Sequence, residues 1–456
     1  MTLETALALG ATAAIMVASF AVSRRAATPE GFFGGVDLEG RAPGLWMLVL
    51  SQVTTWIFAR SLLTAAVLAF HYGLAGALAY TAYYLSFFTG GLVIDRLRAT
   101  GGQGSIHDFL RARFGTAGTA CFNILIGARL LSEVFANLLM VGLVFSATGS
   151  LGYWGAIAAI SALTLGYSML GGLSASLRTD VVQMLVFLGL LVAVWLAVSA
   201  LPQVAAADLA TPAGVDQGPG WVLLAVALLQ VISYPLHDPV MTDRGFIADR
   251  ATTRASFWLA GVLGMASIFA FAMLGVVAAH HAAGAKDFQT ALSGLLGAPL
   301  TVMVNLALIV SAVSTMDSTL SSAAKLAVVD MGLARRTLAN GRVAMALCMA
   351  GGLGFLALGW DELYTAVAVS GTASMFLAPV AVISIIGGRE VARWAYLLAF
   401  AAAMLGAGLY AVESEGGTQI VGALTGFEHK YSKLLAICVA VLAIGFGAFA
   451  AGLRRR

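Results

Sequence analysis

Charge is what this chain has least of: Asp, Glu, Lys and Arg together make up 10% of 456 residues, against 60% hydrophobic residues. With a mean hydropathy of +0.93, a water-soluble globule of this length is excluded, because too little polar side chain is left to cover it. Cysteine is scarcer still. Cys121, Cys348 and Cys438 all fall in apolar runs, their spacing fits no metal motif, and isolated thiols in lipid build no disulfide framework. The six histidines form no ligand cluster, and no nucleophile and base stand at a recognisable spacing, so nothing points to an enzyme. The net charge of +3 identifies no partner by itself, and no nucleic-acid contact is expected. Polar stretches are short, near 23–43, 95–115, 201–218 and 412–433, which leaves no room for a soluble domain.

What fills the chain instead is a series of apolar runs of about 20 residues, each long enough to cross a hydrocarbon core. Such continuous runs are helical, since barrel strands alternate in polarity. The reading is an all-α polytopic membrane protein with about 13 transmembrane helices. The spans fall near 4–22, 44–70, 73–94, 116–146, 151–172, 179–200, 219–240, 255–280, 297–329, 341–359, 361–387, 394–411 and 434–453. Lys286, Lys430 and Lys433 lie on one side of this arrangement, and nearly all the arginines lie on the other, from Arg24 and Arg25 through Arg178 and Arg244 to Arg456. The positive-inside rule then puts the N-terminus outside and the C-terminus in the cytoplasm of an inner (plasma) membrane protein. Residues 1–22 resemble a signal peptide, but Arg24 and Arg25 follow the apolar run where a small-residue cleavage site would stand, which favours a retained first helix.

Polar residues inside these spans are few and therefore informative. One span reads Ile232-Ser-Tyr-Pro-Leu-His-Asp-Pro-Val. Pro235 and Pro239 remove backbone donors and free carbonyls at membrane depth, with His237 and Asp238 inside the same break. A plain kink is the bland reading; the ionisable pair favours a functional one. A second span carries Ser311, Ser314, Thr315, Ser318 and Ser322 at i, i+3, i+4, i+7 and i+11, a single hydroxyl-rich stripe. Such a stripe serves equally as a packing face or as oxygen ligands for a hard cation. Asp317 within it tips the balance, because a carboxylate there needs a positive partner. Three cations also fall inside spans. Lys325 stands near the end of its helix and is expected to snorkel. Arg129 and Glu133, four apart, can neutralise each other or offer a guanidinium to an anionic solute. Arg60 lies mid-span.

The run Tyr167-Ser-Met-Leu-Gly-Gly-Leu-Ser-Ala-Ser-Leu-Arg-Thr-Asp-Val-Val, followed by Gln183, lies between two of these apolar runs. It resembles the signature of the sodium:solute symporter family. Gly31-Phe-Phe-Gly-Gly-Val-Asp-Leu-Glu-Gly-Arg, Ile106-His-Asp-Phe-Leu-Arg-Ala-Arg-Phe-Gly and Ser314-Thr-Met-Asp-Ser resemble further segments, so the likeness runs from about residue 30 to 388. It implies a LeuT-like 5+5 inverted-repeat core in which the first helix of each repeat is broken. The parts would be an N-terminal helix and cytoplasmic segment at 1–43, a first repeat at 44–200, a second at 201–388 after an external loop, and two added helices at 389–456.

The resemblance also implies Na⁺ as coupling ion, held by the hydroxyls of Ser314 and Thr315 and the carbonyls of Ser311, Thr54 and Ile57. A second cation site would use Asp180, Ser314, Asp317 and Ser318. The rival role for Asp180 is to close a helix terminus near Arg178. Arg60 then sits three residues past the carbonyl of Ile57 and must pair with either a solute carboxylate or Asp238. Trp56, Ser61, Tyr83, Tyr84, Tyr234 and His237, with Arg129 and Asp238, complete an expected solute cavity. Proline carriers of the family have an acidic residue where Trp56 stands, so that subclass is not indicated. The function implied is Na⁺-coupled symport of a small solute, an amino acid or small carboxylate, by alternating access within a lipid bilayer. The rivals are a proton-coupled carrier of the same fold and a solute-sensing membrane domain, the latter disfavoured because the chain stops at Arg456 with no output domain.

Overall fold

The computed structural model describes residues 3–23, 25–26, 28–99, 104–357 and 363–454. Arg24, Arg455, Arg456 and the facing ends of the spans at 341–359 and 361–387 lie outside the described residues. In chain order the principal helices are α1 (Leu3–Val22), α2 (Leu45–Trp56), α3 (Ala59–Thr81), α4 (Ser86–Ala99), α5 (Ile106–Phe145), α6 (Leu151–Gly171), α7 (Leu173–Ser199), α8 (Gly218–Gln230), α9 (Pro239–Arg244), α10 (Arg250–His280), α11 (Phe288–Lys325), α12 (Leu338–Ala357), α13 (Leu363–Ser374), α14 (Arg393–Ser414) and α15 (Lys430–Ala451). Among the described residues, nine helical stretches are long and apolar enough to cross a membrane, and Ala8–Val22, Gly218–Gln230 and Leu377–Ile386 are shorter apolar helices. The protein is an all-helical, multi-pass membrane protein.

Helical stretches that look continuous turn back at single glycines. Gly73 adopts φ +58°, ψ −143° inside α3, and Tyr80 Oη donates to Ser61 Oγ at 2.8 Å. Nineteen residues of straight helix would hold those groups about 28 Å apart, so the chain reverses at Gly73. A side chain at that position would run into Thr211 as well as into an unfavourable φ. Gly172, at φ +56°, makes the equivalent turn between α6 and α7 and packs on Phe32, which explains the second glycine of the Gly171-Gly172 pair.

Both expected breaks are present. Helix α2 ends at Trp56, Ile57 (φ −83°, ψ 73°) and Phe58 (φ −66°, ψ 147°) leave the helical region, and α3 begins at Ala59. In the second half α8 ends at Gln230, a 3₁₀ turn spans Tyr234–His237, and Asp238 caps α9 by accepting from the Met241 amide at 3.1 Å. Pro235 and Pro239 sit at the starts of the turn and of α9, where their missing N–H groups cost nothing. Helix α11 carries the hydroxyl stripe past both breaks: Ser311 donates to the carbonyl of Ile57, and Ser322 donates to Asp243 at 2.8 Å.

Candidate sodium and solute sites

A broken helix exposes carbonyls that the amides four residues on no longer reach. In α2 these are met by distant side chains: Tyr84 Oη donates to the Trp56 carbonyl at 2.8 Å, and the Ser311 hydroxyl donates to that of Ile57. Ser314 Oγ stands 3.3 Å from Thr54 Oγ1. The residues expected to hold a cation, Thr54, Ile57, Ser311, Ser314 and Thr315, are thus brought together and are at most 2% exposed. Within this group the Thr315 hydroxyl is buried with no hydrogen-bond partner. A buried hydroxyl without a partner is costly, and an oxygen ligand awaiting a hard cation accounts for it. The residues present therefore fit a sodium ion.

The expected second cation set, Asp180, Ser314, Asp317 and Ser318, is also drawn together. Ser314 Oγ is 3.0 Å from Asp180 Oδ1, and Ser318 Oγ is 3.4 Å from both Asp180 and Asp317. Thr179 donates to Asp317 at 2.6 Å. The pairing of Asp180 corrects the sequence reading. Asp180 lies inside α7 rather than at a terminus beside Arg178, and its partner is Arg244, 2.9 Å away with both side chains fully buried. Arg244, counted above among the flanking arginines, lies one turn into α9, past the expected end of its span at 240. Sequence reasoning missed it; the signal available was an unpaired Asp180 and an arginine four residues beyond Val240.

The solute residues cluster around the two breaks. Trp56 packs edge-on against Tyr234 (5.7 Å between centroids), and Tyr234 against His237 (4.6 Å). Both Arg60 and Arg129 lie over the Phe58 ring, at 5.9 and 5.3 Å. Trp56, Arg60, Ser61, Arg129, Tyr234, His237 and Asp238 are at most 5% exposed, so the arrangement is closed. Two expectations are corrected. Asp238 is the partner of Arg129 (3.3 Å), which also binds Glu133 (2.5 Å); Arg60 makes no pair with Asp238. Arg60 Nε and Nη1 are buried with no hydrogen-bond partner at all. Lys325 does not snorkel: it is ion-paired with Asp243 and lies 3.7 Å from Asp330, acids that the sequence did not place beside it.

Several side chains are already engaged. His237 Nδ1 is bonded to the Tyr234 carbonyl (2.5 Å) and Nε2 to Ser370 Oγ (3.1 Å). Tyr83 donates to Gln230 (3.0 Å), and Tyr84 to the Trp56 carbonyl as above, so both tyrosines hold the fold. Gln52 was missed. It is 1% exposed, one turn before Trp56, and neither atom of its amide has a partner. Its i, i+4 relation to Trp56 was the available signal.

The family model for the sodium:solute symporter family matches residues 38–313, more than half of the chain. The chain belongs to that family. This symporter is also similar in fold to a solved Na⁺-coupled sialic acid symporter in a substrate-bound, outward-open state (TM-score 0.71, 14% identity, 100% of both chains covered). A nucleobase-cation-symport-1 family transporter, closed around bromovinylhydantoin, matches with a TM-score of 0.56 at 12% identity, over 92% of this chain and 94% of that one. These likenesses establish the LeuT-like fold. No curated protein matches the chain significantly. Membership makes the protein a Na⁺-coupled symporter and not an enzyme; its solute lies beyond what the family fixes.

Proposed function

We propose that this symporter carries a small carboxylate-bearing solute, an amino acid or organic acid, into the cell together with Na⁺. The observation that carries the reading is Arg60. An arginine cannot shed its proton, and one buried with two unbonded nitrogens beside a broken helix is a docking point for an anionic oxygen pair. Arg129, whose Nε and Nη1 are likewise buried without a partner, has its charge opposed by Glu133 and Asp238 through Nη2, whereas Arg60 is paired with no carboxylate among the described residues, so Arg129 is assigned to the break at 231–238 and the solute to Arg60. Trp56, Tyr234 and Ser61 supply the wall, and the free amide of Gln52 adds a neutral contact. His237 shapes the wall through its own bonds.

The coupling ion is assigned to the hydroxyls of Ser314 and Thr315 and the carbonyls of Thr54, Ile57 and Ser311. A sodium ion there ties α11 to the break of α2, three residues from Arg60, so ion and solute stabilise the same closed arrangement and must raise each other's affinity reciprocally. The arginine-rich face is taken as cytoplasmic, with the N-terminus outside, and the two repeats as 44–200 and 201–388.

The test is uptake of pooled amino and organic acids into proteoliposomes under an inward Na⁺ gradient, against an inward choline gradient. Na⁺-dependent accumulation of an acid, lost in Arg60→Ala, is expected. Accumulation of neutral solutes only, unaffected by Arg60→Ala, would overturn the solute class. Accumulation that follows a proton gradient and ignores Na⁺ would overturn the ion.

A further inference from the structure

Among the described residues around the two breaks, most of the buried polar atoms left without a partner are donors. Arg60 and Arg129 each keep Nε and Nη1 unbonded, and the indole N–H of Trp56 is buried and unbonded as well. All of these nitrogens donate and none can accept. The charged acceptors are engaged. Glu133 holds the Arg129 guanidinium through Oε1 at 2.5 Å and accepts from Thr319 through Oε2 at 3.2 Å. Asp238 meets Arg129 through Oδ2 at 3.3 Å and the Met241 amide through Oδ1 at 3.1 Å. At the breaks themselves, the carbonyls of Trp56, Ile57 and Val231 accept from the hydroxyls of Tyr84, Ser311 and Thr89, and that of Tyr234 accepts from His237. Ser61 Oγ accepts from Tyr80 at 2.8 Å. The acceptors left over are two neutral amide oxygens, Gln52 Oε1 and Asn137 Oδ1.

We propose that the solute is a small hydroxylated monocarboxylate, with a carboxylate and a hydroxyl but no ammonium group. The inference rests on the pairing of Arg60 with a solute carboxylate proposed above, and it removes the amino acids from that class. An ammonium brings donors only, into a wall whose own unbonded groups are mostly donors. It would lose its water beside two guanidiniums with no carboxylate free to replace it. The ring faces that could hold a cation already carry one, since both arginines lie over Phe58 and Arg129 also lies over Tyr234, at 5.6 Å. A second carboxylate fares no better. The charge of Arg129 is opposed by Glu133 and Asp238, so a dianion reaching it would meet those two acids. The hydroxyl follows from α2. Gln52 and Trp56 stand one turn apart on one face, and together they offer an indole N–H, an amide NH₂ and an amide oxygen, all unbonded. A hydroxyl both accepts and donates, so it can answer both side chains, whereas an ammonium cannot accept from Trp56 and a methyl group answers neither.

The test is Na⁺-driven uptake into proteoliposomes of compounds matched in carbon skeleton, so that size cancels. The pairs are lactate and alanine, 2-hydroxyisocaproate and leucine, and phenyllactate and phenylalanine, each run beside its deoxy acid, with succinate as the dicarboxylate. For the skeleton that fits, the hydroxy acid should accumulate at least ~10-fold faster than its amino counterpart. The deoxy acid should fall below the hydroxy acid, and succinate should not accumulate. Trp56→Phe, which keeps a ring and removes the N–H, should narrow the ratio of hydroxy acid to deoxy acid. An amino acid taken up as well as its hydroxy counterpart, with both lost in Arg60→Ala, would overturn the inference and leave the carboxylate reading standing. Preference for succinate would do the same. A ratio that folded Trp56→Phe leaves unmoved would overturn the hydroxyl. Failure of every acid would overturn the inference and the carboxylate reading together. The wild-type comparison needs no variant, so poor folding of Trp56→Phe leaves the proposal open to refutation.

Discussion

Arg129 and Arg60 sit over the same phenylalanine ring, and each has Nε and Nη1 buried without a partner; they differ in whether carboxylates oppose the charge. Arg129 holds Glu133 and Asp238, and a buried ion pair broken from one side leaves an uncompensated charge. Arg129→Ala should cost about 3–5 kcal/mol, read as thermal unfolding in detergent. Adding Glu133→Gln and Asp238→Asn to it should restore most of the loss. Arg60, with no hydrogen-bonded partner among the described residues, should tolerate Arg60→Ala with little change or a gain in stability while uptake of acids disappears. A cooperative loss shared between Arg60→Ala and Asp238→Ala would contradict this. The hydroxyl stripe was legible in the sequence because 3.6-residue periodicity alone places Ser311, Ser314, Thr315 and Ser318 on one face. Which arginine meets which acid was not legible. Asp238 stands 109 residues from Arg129 and 178 from Arg60 by their numbers, and only the packing of α5 against the break decides between them.

At the scale of elements, the two breaks were unequally legible. Pro235 and Pro239 announce the one in the second half through covalent chemistry. Ile57 and Phe58 announce nothing, because that break is held open by partners far along the chain, the Tyr84 hydroxyl on the Trp56 carbonyl and the Ser311 hydroxyl on that of Ile57. Removing such a donor strands a buried carbonyl, at about 1–3 kcal/mol. Ser311→Ala, which keeps its own carbonyl, should therefore lower unfolding stability in Na⁺-free buffer and speed amide exchange at 57–60. Unchanged exchange there would show that the break needs no support. The turn before α2 offers a pH test. The Arg41 backbone N–H, with the Arg41 guanidinium, lowers Asp37 from 3.8 to about 2. A depressed folded value means that this contribution is complete above the ordinary carboxylate value and lost as pH falls through about 2. Asp37→Asn should accordingly loosen residues 37–41 at neutral pH, as seen by hydrogen exchange. The wild-type turn should hold its protection until strongly acid pH.

Across the whole molecule, the ion pairs that hold α9 and the cavity beside Leu63 lie on opposite sides of the breaks. On the arginine-rich side α9 is staked by Asp243 to Lys325 and by Arg244 to Asp180, while Arg111 reaches the Asp330 carbonyl at 3.3 Å. On the other side, one turn beyond Arg60, a cavity of about 280 Å³ is lined by Leu63, Leu143, Asn305 and Leu308. Apolar run lengths and arginine asymmetry foretold two faces, but not that one would be sealed by paired charges, since pairing depends on which helix ends converge. With the arginine-rich face taken as cytoplasmic, as proposed above, the molecule is closed towards the cytoplasm and approached from outside, and single cysteines can read it. With Cys121, Cys348 and Cys438 replaced by serine or alanine, a membrane-impermeant maleimide added to intact cells should label Leu63→Cys and Asn305→Cys. It should spare Ser322→Cys, which is 1% exposed in the native chain beside Asp243. Labelling of Ser322→Cys from outside with Leu63→Cys protected would invert the assigned orientation. Labelling of neither would mean that the cavity does not open to the exterior. Substituting Asp243→Asn and Arg244→Gln together should shift the balance towards the inward-open form, lowering external labelling at Leu63→Cys and exposing Ser322→Cys to reagent in inside-out vesicles. The effect follows from removing the paired charges that hold α9 against α7 and α11.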